Sequence, residues 1–230
     1  IKMKYFFLSI TLFFSTVLFS QEELAWIDYE VMIDSKDVPF VLNILDNYFS
    51  NPKNRVAGIE YNFTEITFKD SGLEATHLFQ LVGDVDAINN SNKRAPDSEF
   101  LLLVEKINDL SQSYSSLFGK DIFSYGTSNT KKMEQIYALS IKDVTKFLPA
   151  FSTLVKKVKP ENFISFGSVI SGGSDGQTHY IYTEQDDLKS IISPKNGPEQ
   201  MPKVWSAFYE NAGEFEVIRS FTRNKLKSWK

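Results

Sequence analysis

The chain has 230 residues, of which 42% are hydrophobic, 23% are charged and 14% are aromatic. These fractions exclude a disordered or collagen-like chain. Lys and Arg number 25 against 29 Asp and Glu, so the sequence lacks the basic excess that grips nucleic-acid phosphates. It also has no cysteine, which excludes disulfide bonds, a thiolate nucleophile and a Cys-ligated metal. Stability must therefore come from a hydrophobic core.

The N-terminal segment has the pattern of a secretory signal peptide. Two lysines precede the apolar residues 5–19, and the small Ser20 is followed by the polar Gln21. The apolar stretch is shorter than the roughly 20 residues of a membrane-spanning helix, and a retained anchor is the alternative. We expect residues 1–20 to be removed and the mature protein to be periplasmic or secreted, with no membrane contact after cleavage.

The first half of the remaining chain switches between the hydrophobic periods of strands and helices. Residues 26–33 alternate as a strand, and Asp37 then precedes a segment with helical spacing. The polar residues 89–96 are predicted to be a loop. The predicted order is β-α-β-β-α-β, with strands at 26–33, 58–68, 76–82 and 121–125 and helices at 37–48 and 97–110.

The second half repeats this order. Strands are predicted at 133–141, 163–170, 178–183 and 215–222, and helices at 143–158 and 204–209. The last residues, which include Arg223, Lys225, Lys227 and Lys230, are interpreted as a small solvated basic tail.

Three local matches at corresponding elements indicate an internal duplication. The matched segments are Lys36-Asp37-Val38 with Lys142-Asp143-Val144, Ala75-Thr76-His77 with Gln177-Thr178-His179, and Ser124-Tyr125 with Ser220-Phe221. The expected organisation is therefore a signal peptide at 1–20, one repeat at 21–130 and a second repeat at 131–230.

A β-α-β-β-α-β unit is the ferredoxin-like arrangement, which leaves one face of its sheet bare, and a second copy is the simplest cover. With residues 166–173 as a hairpin arm and residues 178–182 as the following strand, the chain resembles the dimeric α/β-barrel superfamily. The resemblance implies an α+β fold in which two tandem ferredoxin-like repeats pack as an intramolecular dimeric α/β barrel. That superfamily includes monooxygenases, haem-degrading and chlorite-processing enzymes and proteins without known activity, so the fold alone leaves the function open.

The two histidines of the chain, His77 and His179, occupy equivalent positions in the two repeats. Each shares a strand face with apolar residues, where burial or a nearby carboxylate shifts an imidazole pKa. They are the candidate catalytic residues, as a general base or a ligand-orienting pair. The alternative is structural, with each Thr-His pair pinning a hairpin and the ring half buried and bonded to the backbone.

Aromatic residues are abundant, and a pocket edged by tyrosine hydroxyls would suit a flat organic ligand. The candidate ligand-binding residues are Tyr61, Tyr137, Tyr182 and Trp205. The alternative is that these side chains fill the core. Asp28 and Glu30 alternate with apolar residues on the first strand and indicate a polar face or rim, with a paired-carboxylate acid/base role as the less favoured interpretation.

No metal-ligand spacing, dinucleotide fingerprint or P-loop occurs, so we expect no metal and no cofactor. The favoured hypothesis is an exported, non-catalytic small-molecule-binding or stress-related protein, which is a monomer or homodimer and holds a small apolar or aromatic molecule. One alternative is a cofactor-independent monooxygenase-like or isomerase-like enzyme that uses His77 or His179. Another is an interaction module that contacts an envelope protein.

Overall fold

The computed structural model describes residues 23–128, 131–173 and 176–230, so the predicted signal peptide lies outside the described residues. The first repeat consists of β1 (Leu24–Ile33), α1 (Val38–Phe49), a 3₁₀ turn (Pro52–Asn54), β2 (Ile59–Lys69), β3 (His77–Asp84), α2 (Val85–Lys93), α3 (Ser98–Asn108) and β4 (Ser111–Tyr125). The second consists of β5 (Met133–Ile141), α4 (Val144–Val158), β6 (Ile164–Ser171), β7 (His179–Gln185), α5 (Leu188–Ile192), α6 (Pro202–Asn211) and β8 (Phe215–Trp229).

The strands form one closed antiparallel barrel in the order β1-β3-β2-β8-β5-β7-β6-β4. Each repeat contributes four neighbouring strands, and the repeats join where β2 pairs with β8 and where β4 pairs with β6. The expected fold class, two ferredoxin-like repeats packed as an intramolecular dimeric α/β barrel, is confirmed. None of the helices in the described ranges is both long and apolar enough to cross a membrane.

Helices cover the outside of the barrel, and each repeat has its own core between helices and sheet. Val41, Leu45 and Phe49 of α1 are buried against the outward side chains of β1, such as Ala25 and Ile33. In the second repeat, aromatic rings of α4, α6 and β6 pack together: Phe147, Phe151, Phe166 and Phe208. Because side chains alternate along a strand, the intervening residues of each strand face the barrel lumen.

The matched Thr-His segments make the same contacts in both repeats. The backbone N–H of Thr76 donates to the Val31 carbonyl at 3.0 Å, and its hydroxyl accepts from the N–H of Ile33 at 2.9 Å. Thr178 repeats both contacts, to the Leu139 carbonyl at 2.9 Å and from the N–H of Ile141 at 3.0 Å. The threonine thus ties the start of the third strand of each repeat to the end of its first strand.

Three predictions about element boundaries were wrong. The strand predicted at 121–125 is the second part of β4, which begins at Ser111. Residues 223–229 belong to β8, which pairs with both β2 and β5, and the Arg223 side chain is only 2% exposed. The expected solvated tail is therefore part of the barrel wall. Residues 89–93 lie in α2 because the Asp84 side chain caps that helix, accepting from the N–H of Ala87 at 2.7 Å.

Glycines on two strands make room for aromatic side chains of neighbouring strands. Gly119 pairs with Trp26, and a Cβ at Gly119 would overlap the indole ring. Gly167 pairs with Tyr180, and a Cβ there would overlap both the phenol oxygen and the Lys120 carbonyl. The missing Cβ atoms are what allow Trp26 and Tyr180 to approach the neighbouring strands so closely.

We expect Gly167→Ala to lower the free energy of unfolding by about 1–3 kcal/mol, because the added methyl group overpacks the lumen wall. Urea unfolding measures this loss. Gly72→Ala is the control, since Gly72 is exposed in a turn and its Cβ would meet only the flexible Asp70 side chain at 3.3 Å. Equal losses in the two variants would contradict the close contact between Gly167 and Tyr180.

Candidate functional site: the barrel lumen

The lumen is a mixed polar and apolar cavity with a volume of about 90 Å³. Its apolar wall includes Leu24, Val82, Leu117, Ile136, Phe163 and Phe221. For comparison, an engineered apolar cavity of about 150 Å³ binds benzene. The lumen as it stands therefore has room for a few water molecules or one compact molecule.

Arg223 lies at the centre of the lumen and is held by three side chains from three strands. Its Nε donates to Glu134 Oε2 on β5, and its Nη2 donates to Gln80 Oε1 on β3 at 3.4 Å. Its Nη1 lies 3.7 Å from Asp28 Oδ2 on β1. Burial acts to lower the pKa of Arg223, but the carboxylates of Glu134 and Asp28 raise it above the usual range. The guanidinium is therefore a fixed, fully partnered positive charge.

Glu134 balances this charge and has a side chain only 1% exposed. Its Oε1 accepts from the Tyr182 hydroxyl at 2.8 Å and lies 3.3 Å from Lys225 Nζ. Burial raises the pKa of Glu134, but Arg223 and Lys225 outweigh it, so the pKa is lowered and the group is ionised. Removing one partner of such a pair leaves an uncompensated buried charge.

Asp28 is a second lumen carboxyl, with a different protonation behaviour. Burial raises its pKa to about 6, although Arg223 and a hydrogen bond from Gln80 Nε2 at 2.8 Å act in the opposite direction. The carboxylates of Glu30 and Glu134 raise it further. Asp28 is thus able to gain or lose a proton near neutral pH.

A third group links Trp26, Tyr180 and Asp121. The indole N–H of Trp26 donates to the Tyr180 hydroxyl at 2.6 Å, and that hydroxyl donates to Asp121 Oδ1. The two rings meet edge to face with centroids 5.0 Å apart. Burial raises the pKa of Asp121 to about 6, and burial together with Asp121 raises that of Tyr180 well above its usual range. The arrangement is a short relay of polar groups along an aromatic wall.

Arg219 and Glu30 form the fourth group. Arg219 Nη2 lies 4.0 Å from Glu30 Oε1, and the two side chains are 10% and 3% exposed. The other carboxylate oxygen of Glu30 accepts from the Ser115 hydroxyl. The guanidinium packs over the Phe221 ring, 5.9 Å from its centroid. This pair is looser than the Arg223 pair and faces the cavity.

The candidate catalytic histidines lie on the helix-facing side of the barrel. Neither His77 nor His179 lines the cavity. Each Nδ1 shares a hydrogen bond with the preceding threonine hydroxyl, at 2.9 Å and 2.8 Å respectively. Each ring stacks on a phenylalanine of the adjacent strand, Phe63 at 5.4 Å and Phe166 at 5.2 Å.

The two imidazoles differ in burial. His77 is 4% exposed, and burial together with the charge of Lys69 lowers its pKa to about 4. Its Nε2 is buried without a hydrogen-bond partner among the described residues. His179 is half-buried, and burial lowers its pKa as well. In both repeats the ring is bonded to the threonine hydroxyl rather than to the backbone.

The structure does not bring the four candidate ligand-binding residues together. Tyr182 lines the lumen, whereas Tyr61 is buried in the first helix-side core with its hydroxyl accepting from the N–H of Val56 at 3.1 Å. Tyr137 packs against the second helix-side core. Trp205 lies on α6, where its indole donates to the Asn196 carbonyl at 3.1 Å.

Sequence reasoning missed most of the lumen residues. Asp28 and Glu30 were identified as a polar face, and that face is the inside of the barrel. The period-two spacing of Arg219, Phe221, Arg223 and Lys225 on β8 was the signal for a second polar face. In the ranges that the structure describes, no three His, Asp or Glu residues are arranged to hold a metal ion.

The closed barrel with two ferredoxin-like halves places the chain among proteins with the dimeric α/β-barrel fold. No family model and no curated protein matches its sequence. A proposed monooxygenase from Lactobacillus acidophilus has a TM-score of 0.62 and 10% identity, covering 91% of this chain and 97% of its own.

Two further solved structures have the same fold as this chain. An anthrone oxidase-like protein has a TM-score of 0.54 and 8% identity, covering 91% of this chain and 93% of its own. A proposed monooxygenase from Fusobacterium nucleatum has a TM-score of 0.55 and 11% identity, covering 90% and 94%. The expected resemblance to the dimeric α/β-barrel superfamily is confirmed at the level of the fold.

The histidines provide a matched pair for a stability test. We expect His77→Gln to lower the free energy of unfolding by about 1–3 kcal/mol, because it removes a buried ring stacked on Phe63. His179→Gln, at the equivalent but half-exposed position, should cost less than about 1 kcal/mol. Urea unfolding of the two variants compares the losses. A stable His77→Gln variant would contradict the structural role of that ring.

Asp121 should make stability depend on pH. Burial raises its pKa from the ordinary value of 3.8 to about 6 in the folded protein, so the folded state holds the proton more tightly. Its contribution is present below about pH 4 and is lost as the pH rises through 6. Asp121→Asn keeps an acceptor for Tyr180 but cannot titrate. We expect the wild-type unfolding free energy, relative to this variant, to fall by up to about 3 kcal/mol between pH 4 and pH 7.

The matching control is Asp109→Asn, which removes one negative charge at an exposed position just after α3. Urea titrations at pH 4 and pH 7 give the difference in unfolding free energy between the wild type and each of the two variants. A wild-type minus Asp121→Asn difference that is independent of pH would show that Asp121 is not a buried titrating group.

Proposed function

We propose that the chain is a small-molecule-binding protein whose ligand occupies the barrel lumen. The observation that carries the proposal is the set of buried charged side chains around the cavity, above all Arg223 and Glu134 at 2% and 1% exposure. Buried ion pairs are seldom better for stability than apolar residues of the same volume. A barrel of eight strands is readily filled by apolar side chains. Polar groups held open around a cavity therefore support a role in binding.

The size of the cavity limits the ligand. At about 90 Å³ it suits a compact polar molecule better than the flat aromatic ligand that the tyrosines suggested. An aromatic ligand would require Trp26 and Tyr180 to leave the wall, breaking their mutual hydrogen bond of 2.6 Å. We also propose that the protein acts in the periplasm or outside the cell, which rests on the signal-peptide pattern of residues 1–20.

A second candidate function is proton-transfer catalysis in the same lumen. It is favoured by Asp28 and Asp121, because two carboxyl groups with pKa values of about 6 are suited to general acid or base work near neutral pH. The proposed monooxygenases with this fold are compatible with such a role. An enzyme that used His77 or His179 would instead need a pocket on the helix-facing side of the sheet.

Binding in the lumen is testable through the indole N–H of Trp26. Trp205 and Trp229 donate to Asn196 and Asp46 outside the cavity, so their indole signals are internal controls. We expect a set of compact polar probes (formamide, dimethyl sulfoxide and ethylene glycol) to shift the Trp26 signal alone in ¹H–¹⁵N spectra. Native mass spectrometry of protein purified without denaturation should show a bound mass if the natural ligand is retained.

Val82→Phe fills the lumen and should abolish the Trp26 shifts and any bound mass. Val217→Phe makes the same change at a position on β8 that is 49% exposed, and should leave both intact. If Val82→Phe left both the probe-induced Trp26 shifts and any bound mass unchanged, the lumen would not be a ligand site. If the wild-type chain converts a bound molecule and Asp28→Asn does not, that result would favour the catalytic candidate over simple binding.

A further inference from the structure

At one end of the cavity, Arg219 has a hydrogen-bond donor that the folded chain does not use. Its Nε is buried and has no partner within the described parts of the chain. Its Nη2 is 4.0 Å from Glu30 Oε1, which is too long for a hydrogen bond. Arg223, four residues further along β8, has all three of its nitrogens near carboxylate or amide oxygens. Buried donors are normally paired, so the unpaired Nε of Arg219 points to a missing acceptor.

Glu30 supplies the complementary group. Its Oε2 accepts from the Ser115 hydroxyl, whereas the Arg219 guanidinium lies 4.0 Å from its Oε1. A donor and an acceptor therefore stand side by side at the cavity wall. Their charges are opposite and cancel.

Around Arg223, positive and negative groups are also matched, and the remaining lumen carboxyl, Asp121, is bonded to Tyr180. Arg223 and Lys225 face the carboxylates of Glu134 and Asp28. An anion bound at Arg219 would lie close to the charge of Glu30 in a medium of low polarity, where like charges repel strongly. The same argument applies to a cation close to Arg219. The Arg219–Glu30 position therefore favours a ligand without net charge.

Building on the proposed ligand site, we propose that Arg219 and Glu30 together recognise a compact uncharged molecule of the primary-amide or urea type. Its carbonyl oxygen accepts from Arg219 Nε, and its N–H donates to Glu30 Oε1. The Phe221 ring, over which the guanidinium packs at 5.9 Å, fixes the donor in place. The apolar wall leaves space only for a short substituent.

Three probes of the same shape and different charge test this inference: acetamide, acetate and acetamidinium. Each is titrated into the full chain while the Trp26 indole signal is followed. We expect acetamide to bind most tightly and Arg219→Gln to weaken it by about tenfold or more, the usual effect of losing a hydrogen bond to a charged group. Glu30→Gln removes the negative charge and should shift the preference toward acetate. Arg219→Gln should shift it toward acetamidinium.

Arg94→Gln is the matched control, because Arg94 is a surface residue that pairs with Asp97 outside the lumen. It should leave all three affinities unchanged. If either single lumen variant fails to fold, Arg219→Gln combined with Glu30→Gln removes both charges together and should bind the three probes with little preference among them.

Tightest binding of acetate by the wild-type chain, or acetamide binding that is unaffected by Arg219→Gln, would overturn the inference and leave lumen binding in place. If all three probes and formamide fail to bind while dimethyl sulfoxide or ethylene glycol still shifts the Trp26 signal, the result would have the same meaning. If neither these three probes nor the compact polar set shifts the Trp26 signal, the proposed function is overturned as well.

Discussion

The buried pair between Arg223 and Glu134 is the interaction on which the inside of the barrel depends. The two residues face each other on neighbouring strands of the second repeat, but the remaining partners of Arg223, Asp28 and Gln80, come from the first repeat. A guanidinium that is 2% exposed needs all of these oxygens, since an unpaired buried charge is strongly destabilising. The charge at the centre of the lumen is therefore satisfied only when both repeats close the barrel together.

The two repeats are alike on the outside of the sheet and different on the inside. The Thr-His segments make equivalent contacts at the helix-facing surface, and each histidine stacks on a phenylalanine. In the lumen, Trp26 lies opposite Gly119 in the first repeat at the position where Glu134 lies opposite Arg223 in the second. One repeat thus contributes an aromatic wall and the other an ion pair. A lumen built for stability alone would have no need of this difference, which supports the lumen as the functional surface.

Local patterns in the sequence were sufficient for the fold but not for the site. Alternation, capping residues and the repeated Thr-His segments predicted the element order and the duplication. A polar strand face, by contrast, has the same pattern whether it meets water or a closed lumen. Asp28 and Glu30 were therefore assigned to a polar face or rim, and Arg223 to a solvated tail, although closure of the barrel buries Glu30 and Arg223 and leaves the Asp28 side chain only 14% exposed. Closure is set by the pairing of β2 with β8 and of β4 with β6, which no local signal reports.

Packing differs between the two sides of the sheet. On the helix-facing side of the second repeat, aromatic rings such as Phe147, Phe151 and Phe166 fill the space between helix and sheet. Inside the barrel, carboxylates and guanidinium groups line a narrow cavity, and within the described residues Arg219 Nε has no hydrogen-bond partner. Because Arg219 and Glu30 carry opposite charges side by side, a ligand between them would be selected by the positions of individual donors and acceptors rather than by net charge. Under the proposed recognition of a neutral amide, Arg219 and Glu30 are therefore the residues that set specificity.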